Sequence, residues 1–417
     1  MRKLVLSLLV ACPLLAQAQG FQVSLQGQKQ TGMGHTGTGT RMDVASIFFN
    51  PGAVSLLEKN GVSAGISPIF AKTSYVSPER GWYGAQPGEY YKAETSSPVG
   101  TPFTFYGAWG PAAGALSRFK FGLGVYTPFG SSVKWGDDWG GKFALQEISL
   151  QSIFFQPTIS FKITDNLGIG AGLVYARGSV NLQRAFAIGN SENQYGKTEL
   201  DGTADAWGFN AGVYFQPAEQ FSIGVSYRSG VNMQVENGDA KFTGLPASLQ
   251  ARFSNVKFDS ELSLPQNINV GFGIYPSEKL TLALDVNYVG WHTYDTLAFD
   301  FDKADIPDSR SAREYKDSFV FRVGGQYKAT DALNVRVGGY YGLTPVRNGY
   351  LTPETPDSDR IGLTGGLGYN LGEHLELDAS FLFISSKKRT DINLENGFGG
   401  TYKTYAFIPG ISVGYKF

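Results

Sequence analysis

Residues 32–37, GMGHTG, match by their letters the glycine-rich fingerprint that binds dinucleotide phosphates. That fingerprint works because its glycines let the backbone approach a pyrophosphate between a strand and the start of a helix. In this sequence no strand pattern precedes the stretch, and no convincing helix pattern follows it. We therefore interpret the glycines as a source of backbone flexibility and predict no cofactor.

The residue types that serve catalysis or metal binding are too scattered to form such sites. The three histidines, His35, His292 and His374, show no ligand spacing, so we predict no metal site. An outer-membrane phospholipase would need a serine nucleophile beside a histidine. The sequence indicates no such serine beside His292. We therefore predict that the protein is not an enzyme.

Several predicted strands are apolar on both faces, which suits the binding of a hydrophobic molecule. A strand with one wet face would alternate apolar and polar residues. The alternation breaks at Phe154 and Phe155, at Tyr214, at Val289 and at Leu382. A pocket inside the protein requires such breaks, and an aromatic belt at a membrane surface explains some of them equally well. We take Phe154, Phe155, Tyr214 and Leu382 as candidate ligand contacts.

Residues 1–18 have the organisation of a cleavable signal peptide. Two basic residues precede an apolar run, and Ala16-Gln17-Ala18 is the small-x-small pattern of a cleavage site. A lipoprotein signal ending at Cys12 is the alternative interpretation. Cleavage after Ala18 would remove the only cysteine and leave a slightly acidic chain, which predicts neither disulfides nor nucleic acid binding.

Residues 59–417 have the turn pattern of an all-β transmembrane barrel. No run of about 18 apolar residues could form a membrane helix. Short polar turns lie at residues 111–117, 164–166, 217–220, 276–279, 330–332 and 372–374. Six turns separate seven hairpins, so we predict about 14 antiparallel strands, apolar outside and polar inside, in the bacterial outer membrane. In a soluble β-sandwich the same alternation would be inverted.

Residues 19–58 have neither strand nor helix periodicity, and we predict that they form a small hatch, or plug, inside the barrel. Two predicted strands contain rows of glycine that alternate with apolar residues. These glycines are Gly122, Gly124, Gly168, Gly170 and Gly172. Glycine weakens a strand unless another backbone must come close. The rows therefore indicate clearance for the hatch, and strongly bent barrel strands are an equal alternative.

A set of short motifs resembles the FadL family of outer-membrane transporters for long-chain fatty acids and other hydrophobic compounds (OmpP1/FadL/TodX type). The motifs occur in the family's order: QGFQVSLQG at 19–27, Asn50-Pro51-Gly52, AWGFNAG at 206–212, SYRS at 226–229, Leu264-Pro265, YKD at 315–317 and PDSDR at 356–360. One departure is Gly52, where the family usually has alanine. The resemblance implies a fourteen-stranded barrel with an N-terminal hatch that includes Gly20, Phe21, Asn50 and Pro51.

The resemblance also implies a transport mechanism. An amphiphile, most readily a long-chain fatty acid, would be caught at the extracellular loops and move to an apolar pocket in the barrel. A shift of the mature N-terminus would free it to leave sideways through a kink in the third strand. Here Pro128 cannot donate to the sheet and Gly130 permits a bulge, so Pro128, Phe129 and Gly130 are the predicted kink. Alternatively, Pro128 lies in an extracellular loop.

Arginine is the natural partner of a ligand carboxylate, because its guanidinium group can form two parallel hydrogen bonds. Arg184 lies near the position of a ligand-binding arginine in the family, and Arg177 is its competitor. Arg310 or Arg313 would supply a second cation, or both are solvated loop charges.

The predicted partners are a hydrophobic small molecule, outer-membrane lipid and the barrel-assembly machinery. The last prediction rests on the terminal Phe417, which resembles the recognition signal of outer-membrane barrels. We expect a monomer, since an internal hatch gives one chain a complete path. The main alternative function is a non-selective porin, which would lack a hatch.

Overall fold

The computed structural model describes residues 20–82, 85–190 and 195–417. The predicted signal peptide lies outside the described residues. The helices are α1 (Gln28–Gly32), α2 (Ser46–Phe49), α3 (Pro51–Val54) and α4 (Ala247–Gln250), with a 3-10 helix at Trp291–Thr293. In the part of the chain described here, no helix is long and apolar enough to span a membrane.

The described residues form one sheet of twenty-two β segments. They are β1 (Gly61–Ile66), β2 (Phe70–Arg80), β3 (Tyr90–Glu94), β4 (Phe103–Trp109), β5 (Phe119–Tyr126), β6 (Gly130–Lys134), β7 (Glu147–Thr164), β8 (Leu167–Phe186), β9 (Gly196–Ala218), β10 (Phe221–Arg228), β11 (Val231–Thr243), β12 (Val256–Leu264), β13 (Asn267–Ser277), β14 (Leu280–Val289), β15 (Thr296–Phe301), β16 (Ser309–Ala312), β17 (Ser318–Lys328), β18 (Leu333–Gly342), β19 (Arg360–Leu371), β20 (Leu375–Ser386), β21 (Arg389–Ile392) and β22 (Gly399–Lys416).

The segments combine into fourteen barrel strands within the described residues. Strands 1, 2 and 3 are β1–β2, β3–β4 and β5–β6, strands 4 to 6 are β7, β8 and β9, and strands 7 to 10 are β10–β11, β12–β13, β14–β15 and β16–β17. Strands 11 and 12 are β18 and β19, strand 13 is β20–β21, and strand 14 is β22. Antiparallel pairing of β1 with β22, from Gly61 opposite Lys416 to Ile66 opposite Ile411, closes the sheet. The prediction of about 14 antiparallel strands is confirmed.

Exposure along β14 shows which face of the barrel is apolar. Leu282, Leu284 and Val286 point outward and are 38%, 44% and 37% exposed, whereas Asp285 between them is 4% exposed. Apolar side chains outside and polar ones inside are what a barrel surrounded by lipid requires, and a soluble sandwich would show the reverse.

The strands on one side of the barrel are longer than a membrane crossing requires. Segments β8 and β9 contain 20 and 23 residues, about twice the 9–11 residues that cross a membrane. Segment β9 begins at Gly196, and residues 191–194 lie outside the described part. The polar ends of these strands remain hydrogen-bonded to neighbouring strands beyond the apolar outer surface of the barrel.

Candidate functional site

The N-terminal segment, residues 20–57, is buried along most of its length and contacts the inward face of the barrel. Gly168 and Gly170 lie directly against the carbonyl groups of Gly52 and Pro51. A β-carbon at either barrel glycine would overlap these backbone oxygens. The glycines therefore provide the clearance that the sequence predicts.

The second glycine row contacts the same segment. Ile47 packs against Gly122 and Gly124, where added β-carbons would lie 2.8 Å and 3.1 Å from its side chain. Gly172 differs, because it faces side chains of the barrel itself. Close approach of the segment thus explains four of the five predicted glycines.

The Asn50-Pro51-Gly52 turn fixes the end of the segment to the wall. Asn50 caps α3 by accepting a hydrogen bond from the Gly52 amide (3.0 Å), and its side-chain amide donates to the carbonyls of Thr38 (3.0 Å) and Val213 (2.9 Å). A β-carbon on Gly52 would lie 2.7 Å from the carbonyl oxygen of Gly212. Any larger residue at position 52 would therefore meet this backbone oxygen.

An apolar pocket lies in the barrel above this segment. It has a volume of about 80 Å³ and is lined by strands 4 to 9 together with Phe21, Phe129 and Tyr294. Among the described residues of its lining, Glu354 is the only acidic or basic one. Glu354 is paired with the buried Arg313 at 2.5 Å, so this pocket offers an incoming carboxylate no free cation among those residues.

A second, larger pocket connects the N-terminal segment with the barrel wall. This wall pocket has a volume of about 590 Å³ and is lined by residues 20–25, 97–103 and 129–133, among others. Its charged lining residues, within the described chain, are Glu354, Asp357 and Arg360. Leu382 contributes to its apolar side.

The wall pocket reaches a gap between barrel strands 2 and 3. Strand 3 is interrupted at residues 127–129 and strand 2 at residues 95–102. Below the interruption β4 pairs with β5, but among the described segments β6 pairs with β7 alone. The amide of Ser96 donates to the carbonyl of Lys134 (2.8 Å) above the gap. The structure thus places Pro128 in the wall and not in a loop.

The N-terminal segment supplies the hydrogen bonds that the interrupted strand 3 lacks. The Val23 amide donates to the Pro128 carbonyl (2.8 Å), and the Gly130 amide donates to the Phe21 carbonyl (3.1 Å). Gln22 and Phe129 are paired between these two bonds. The unpaired backbone of a barrel wall is costly in lipid, and here an internal partner satisfies it.

Phe21 and Phe129 line both pockets. Phe21 packs edge-on against Trp291 (4.8 Å between ring centroids) and Tyr294 (5.7 Å). Gly20 is anchored next to this cluster: its amide donates to Asp357 (2.9 Å).

Below the pockets the interior is polar. The Asp285 carboxylate accepts hydrogen bonds from the amides of Gly37 (2.8 Å) and Thr38 (2.9 Å). Arg322 donates to Ser24 (3.1 Å) and is 6% exposed. Burial and the Arg322 cation hold the pKa of the His35 imidazole well below its ordinary value, so the ring is neutral.

A family model described as outer membrane protein transport protein (OMPP1/FadL/TodX) matches residues 9–417. The chain belongs to this family. The "47 kDa outer membrane protein" of Pasteurella multocida is 23% identical over 427 residues, covering 96% of this chain and 95% of the relative. A "long-chain fatty acid transport protein" of Escherichia coli is 21% identical over 414 residues, covering 89% and 88%.

Two solved structures share the fold. A Pseudomonas aeruginosa FadL homologue superimposes with a TM-score of 0.81 at 19% identity, covering 96% of this chain and 100% of the homologue. The Pseudomonas putida toluene transporter TodX gives 0.67 at 15% identity, covering 94% and 98%. The resemblance to the OmpP1/FadL/TodX family predicted from sequence is confirmed, and the protein is an outer-membrane transport protein.

Of the six predicted ligand contacts, Leu382 lines the wall pocket, and the other five line neither pocket: Phe154, Phe155, Arg177, Arg184 and Tyr214. Phe155 is 39% exposed on the outer face, whereas its neighbour Phe154 is 1% exposed inside. Arg177 also lies on the outer face, where it pairs with Asp205 at 3.0 Å. Tyr214 is buried under the N-terminal segment. Adjacent strand residues point to opposite faces, so a run that is apolar on both faces does not show which residue points inward.

The predicted arginines also differ from one another in position. Arg184 is half-buried near Glu354, but it does not line either pocket. Arg310 is exposed and pairs with Asp300 at 2.6 Å. Among the described residues that line these two pockets, the one cation is Arg360. It donates to the Gly20 carbonyl (3.0 Å) and to Asp357 (3.1 Å).

Sequence reasoning did not identify Arg228 as a site residue, although it lies in the SYRS motif. Its guanidinium donates to the carbonyl of Phe48 (3.0 Å) and to Gln156 (3.1 Å), and it stacks over the Phe48 ring at 4.5 Å. Arg228 follows alternating residues of β10 on the inward face. The alternation of inward and outward residues along β10 was the sequence feature that could have identified Arg228.

Proposed function

We propose that the protein takes up hydrophobic compounds through the two pockets and releases them sideways into the membrane between strands 2 and 3. Residues 20–57 act as the hatch, and extracellular loops make the first capture. The observation that carries the proposal is the shared boundary of the pockets. Phe21 and Phe129 line both, and Phe129 belongs to the interrupted strand itself.

The polar interior below the pockets supports a sideways route. A hydrophobe moving straight down would have to displace the hydrogen bonds of Asp285 and of Arg322, both buried. Breaking such bonds without replacement costs about 1–3 kcal/mol for each group. The wall gap offers an exit already lined in part by apolar side chains.

The pocket linings support an uncharged substrate in the apolar pocket. Glu354 there is already paired with Arg313, and a buried carboxylate without a cation is costly. A long-chain fatty acid, the substrate predicted from sequence, is the second candidate. Its tail would occupy the apolar pocket and its carboxylate would bind Arg360 in the wall pocket, in competition with Asp357.

Uptake into reconstituted vesicles tests both candidates. The compounds are an aromatic hydrocarbon, a long-chain fatty acid and its methyl ester, and bound molecules are identified by mass spectrometry of the purified protein. Uptake of the hydrocarbon and the ester, unchanged by Arg360→Met, supports an uncharged substrate. Uptake of the acid alone, lost in Arg360→Met, supports the fatty acid. Steady ion conductance without uptake of any of the three would overturn the proposal in favour of a porin.

A further inference from the structure

The side chain of Gln26 joins the hatch to the interrupted wall strand. Its Nε2 atom donates to the Val23 carbonyl (2.9 Å) and to the Thr127 carbonyl (3.1 Å). Thr127 directly precedes Pro128, so one amide group holds the N-terminal strand of the hatch and the start of the kink together. Gln26 is 1% exposed, so both bonds are shielded from bulk solvent.

The backbone of Gln26 is held from the other side by the body of the hatch. Its amide donates to Nε2 of His35 (3.2 Å). The His35 ring in turn packs on Phe49, with 4.8 Å between the centroids. Gln26 is therefore connected to three parts of the molecule: the N-terminal strand, the kink and the hatch body.

Gly27, the next residue, separates the two parts of the hatch. Its backbone has φ 129° and ψ 128°, a conformation that is open essentially to glycine alone. After Gly27 the hatch is fixed to the wall by the glycine rows, by Asp285 and by the pair of Lys29 with Glu376 at 2.6 Å. Residues 20–25 line the wall pocket and are hydrogen-bonded to the interrupted strand 3.

We propose that Gln26 is a positioning residue that couples movement of residues 20–26 to opening of the kink of strand 3, with Gly27 as the hinge. When residues 20–26 swing away, the Thr127 carbonyl loses the Gln26 donor. The kink then relaxes together with the hatch strand, and pocket and wall open at the same time. This inference rests on the sideways route proposed above.

Hydrogen exchange of the full-length barrel in detergent tests the inference without any substrate. Gln26→Met keeps the length of the side chain and removes both donated bonds. Gln28→Met is the matched control, because Gln28 is equally buried but donates to Ser67 (2.8 Å) on strand 1 and accepts from Ser380 (2.5 Å) on strand 13. Migration of unheated samples in detergent gels shows that each barrel is folded.

We expect Gln26→Met to speed amide exchange about tenfold in peptides covering residues 20–26 and 127–131, since about two hydrogen bonds are lost. Gln28→Met should leave exchange at residues 127–131 unchanged. Equal exchange at the kink in the two variants would overturn the inference. Gln26→Leu, which also lacks both donors, replaces Gln26→Met if the latter does not fold. Failure of wild-type uptake would overturn the proposed route, whereas the exchange result concerns the coupling alone.

Discussion

Substitution of one inward glycine should destabilise the barrel far more than substitution of its neighbour. Gly324 and Gly325 are adjacent in β17 and face opposite sides. A β-carbon on Gly324 would overlap the carbonyl oxygen of Met33, a residue of the hatch that is 0% exposed. A β-carbon on Gly325 would lie 3.3 Å from the end of the Leu282 side chain, which can rotate away towards lipid.

The expected magnitudes follow from these contacts. Overpacking of a filled interior costs about 1–3 kcal/mol, and the backbone of Met33 has no free space to move into. Replacing glycine by alanine where alanine fits stabilises by about 0.4–1 kcal/mol through the unfolded chain. Gly324→Ala should therefore lower the free energy of unfolding by about 1–3 kcal/mol. Gly325→Ala should leave it unchanged or raise it slightly.

Urea unfolding of the two variants in lipid vesicles, followed by tryptophan fluorescence, measures this difference. Ion conductance across a planar bilayer shows whether Gly324→Ala relieves its overlap by displacing the hatch, in which case conductance rises. Equal unfolding midpoints for the two variants, with equal conductance, would refute the reasoning that the hatch and the glycine rows are packed against each other.

Three further substitutions address other contacts of the hatch. Gly52→Ala should lower stability by about 1–3 kcal/mol, because its β-carbon would meet the Gly212 carbonyl; an unchanged urea midpoint would contradict this contact. Asp285→Asn should cost about 1–2 kcal/mol, since an amide retains only part of the acceptor capacity that binds the amides of Gly37 and Thr38. An increase in hydrogen exchange relative to the wild type that is larger at residues 36–39 than elsewhere would confirm this expectation. Phe21→Ala should join the two pockets and speed uptake of a hydrophobe; slower uptake with unchanged binding would argue against Phe21 as the partition.

The barrel could be predicted from sequence because its signals are local. Alternation in β14 places Asp285 and Leu284 on opposite faces of the strand, independently of the rest of the chain. Each short turn joins two antiparallel strands. The role of the inward glycines could also be predicted, although the contact of Gly170 with Pro51 depends on two parts of the chain far apart in sequence. The family's order of motifs supplied the strand count independently.

The candidate site was predictable only in part. The pair Phe154 and Phe155 shows the reason: lipid outside and an apolar pocket inside both accept phenylalanine, so sequence cannot assign the inward residue. Arg177 and Arg360 differ in the same way. Both are arginines next to apolar residues, but only the closed barrel shows that one faces outward and the other reaches the wall pocket.

A disulfide between the hatch and the kink tests the sideways route most directly. Gln22 and Phe129 are paired across antiparallel backbone, a separation that a disulfide can bridge. Cys12 is the only natural cysteine and lies in the predicted signal peptide. Uptake of a hydrophobic compound is measured in the Gln22→Cys/Phe129→Cys variant before and after reduction. The account predicts blocked uptake in the oxidised protein and recovery on reduction, and equal uptake in both states would contradict it.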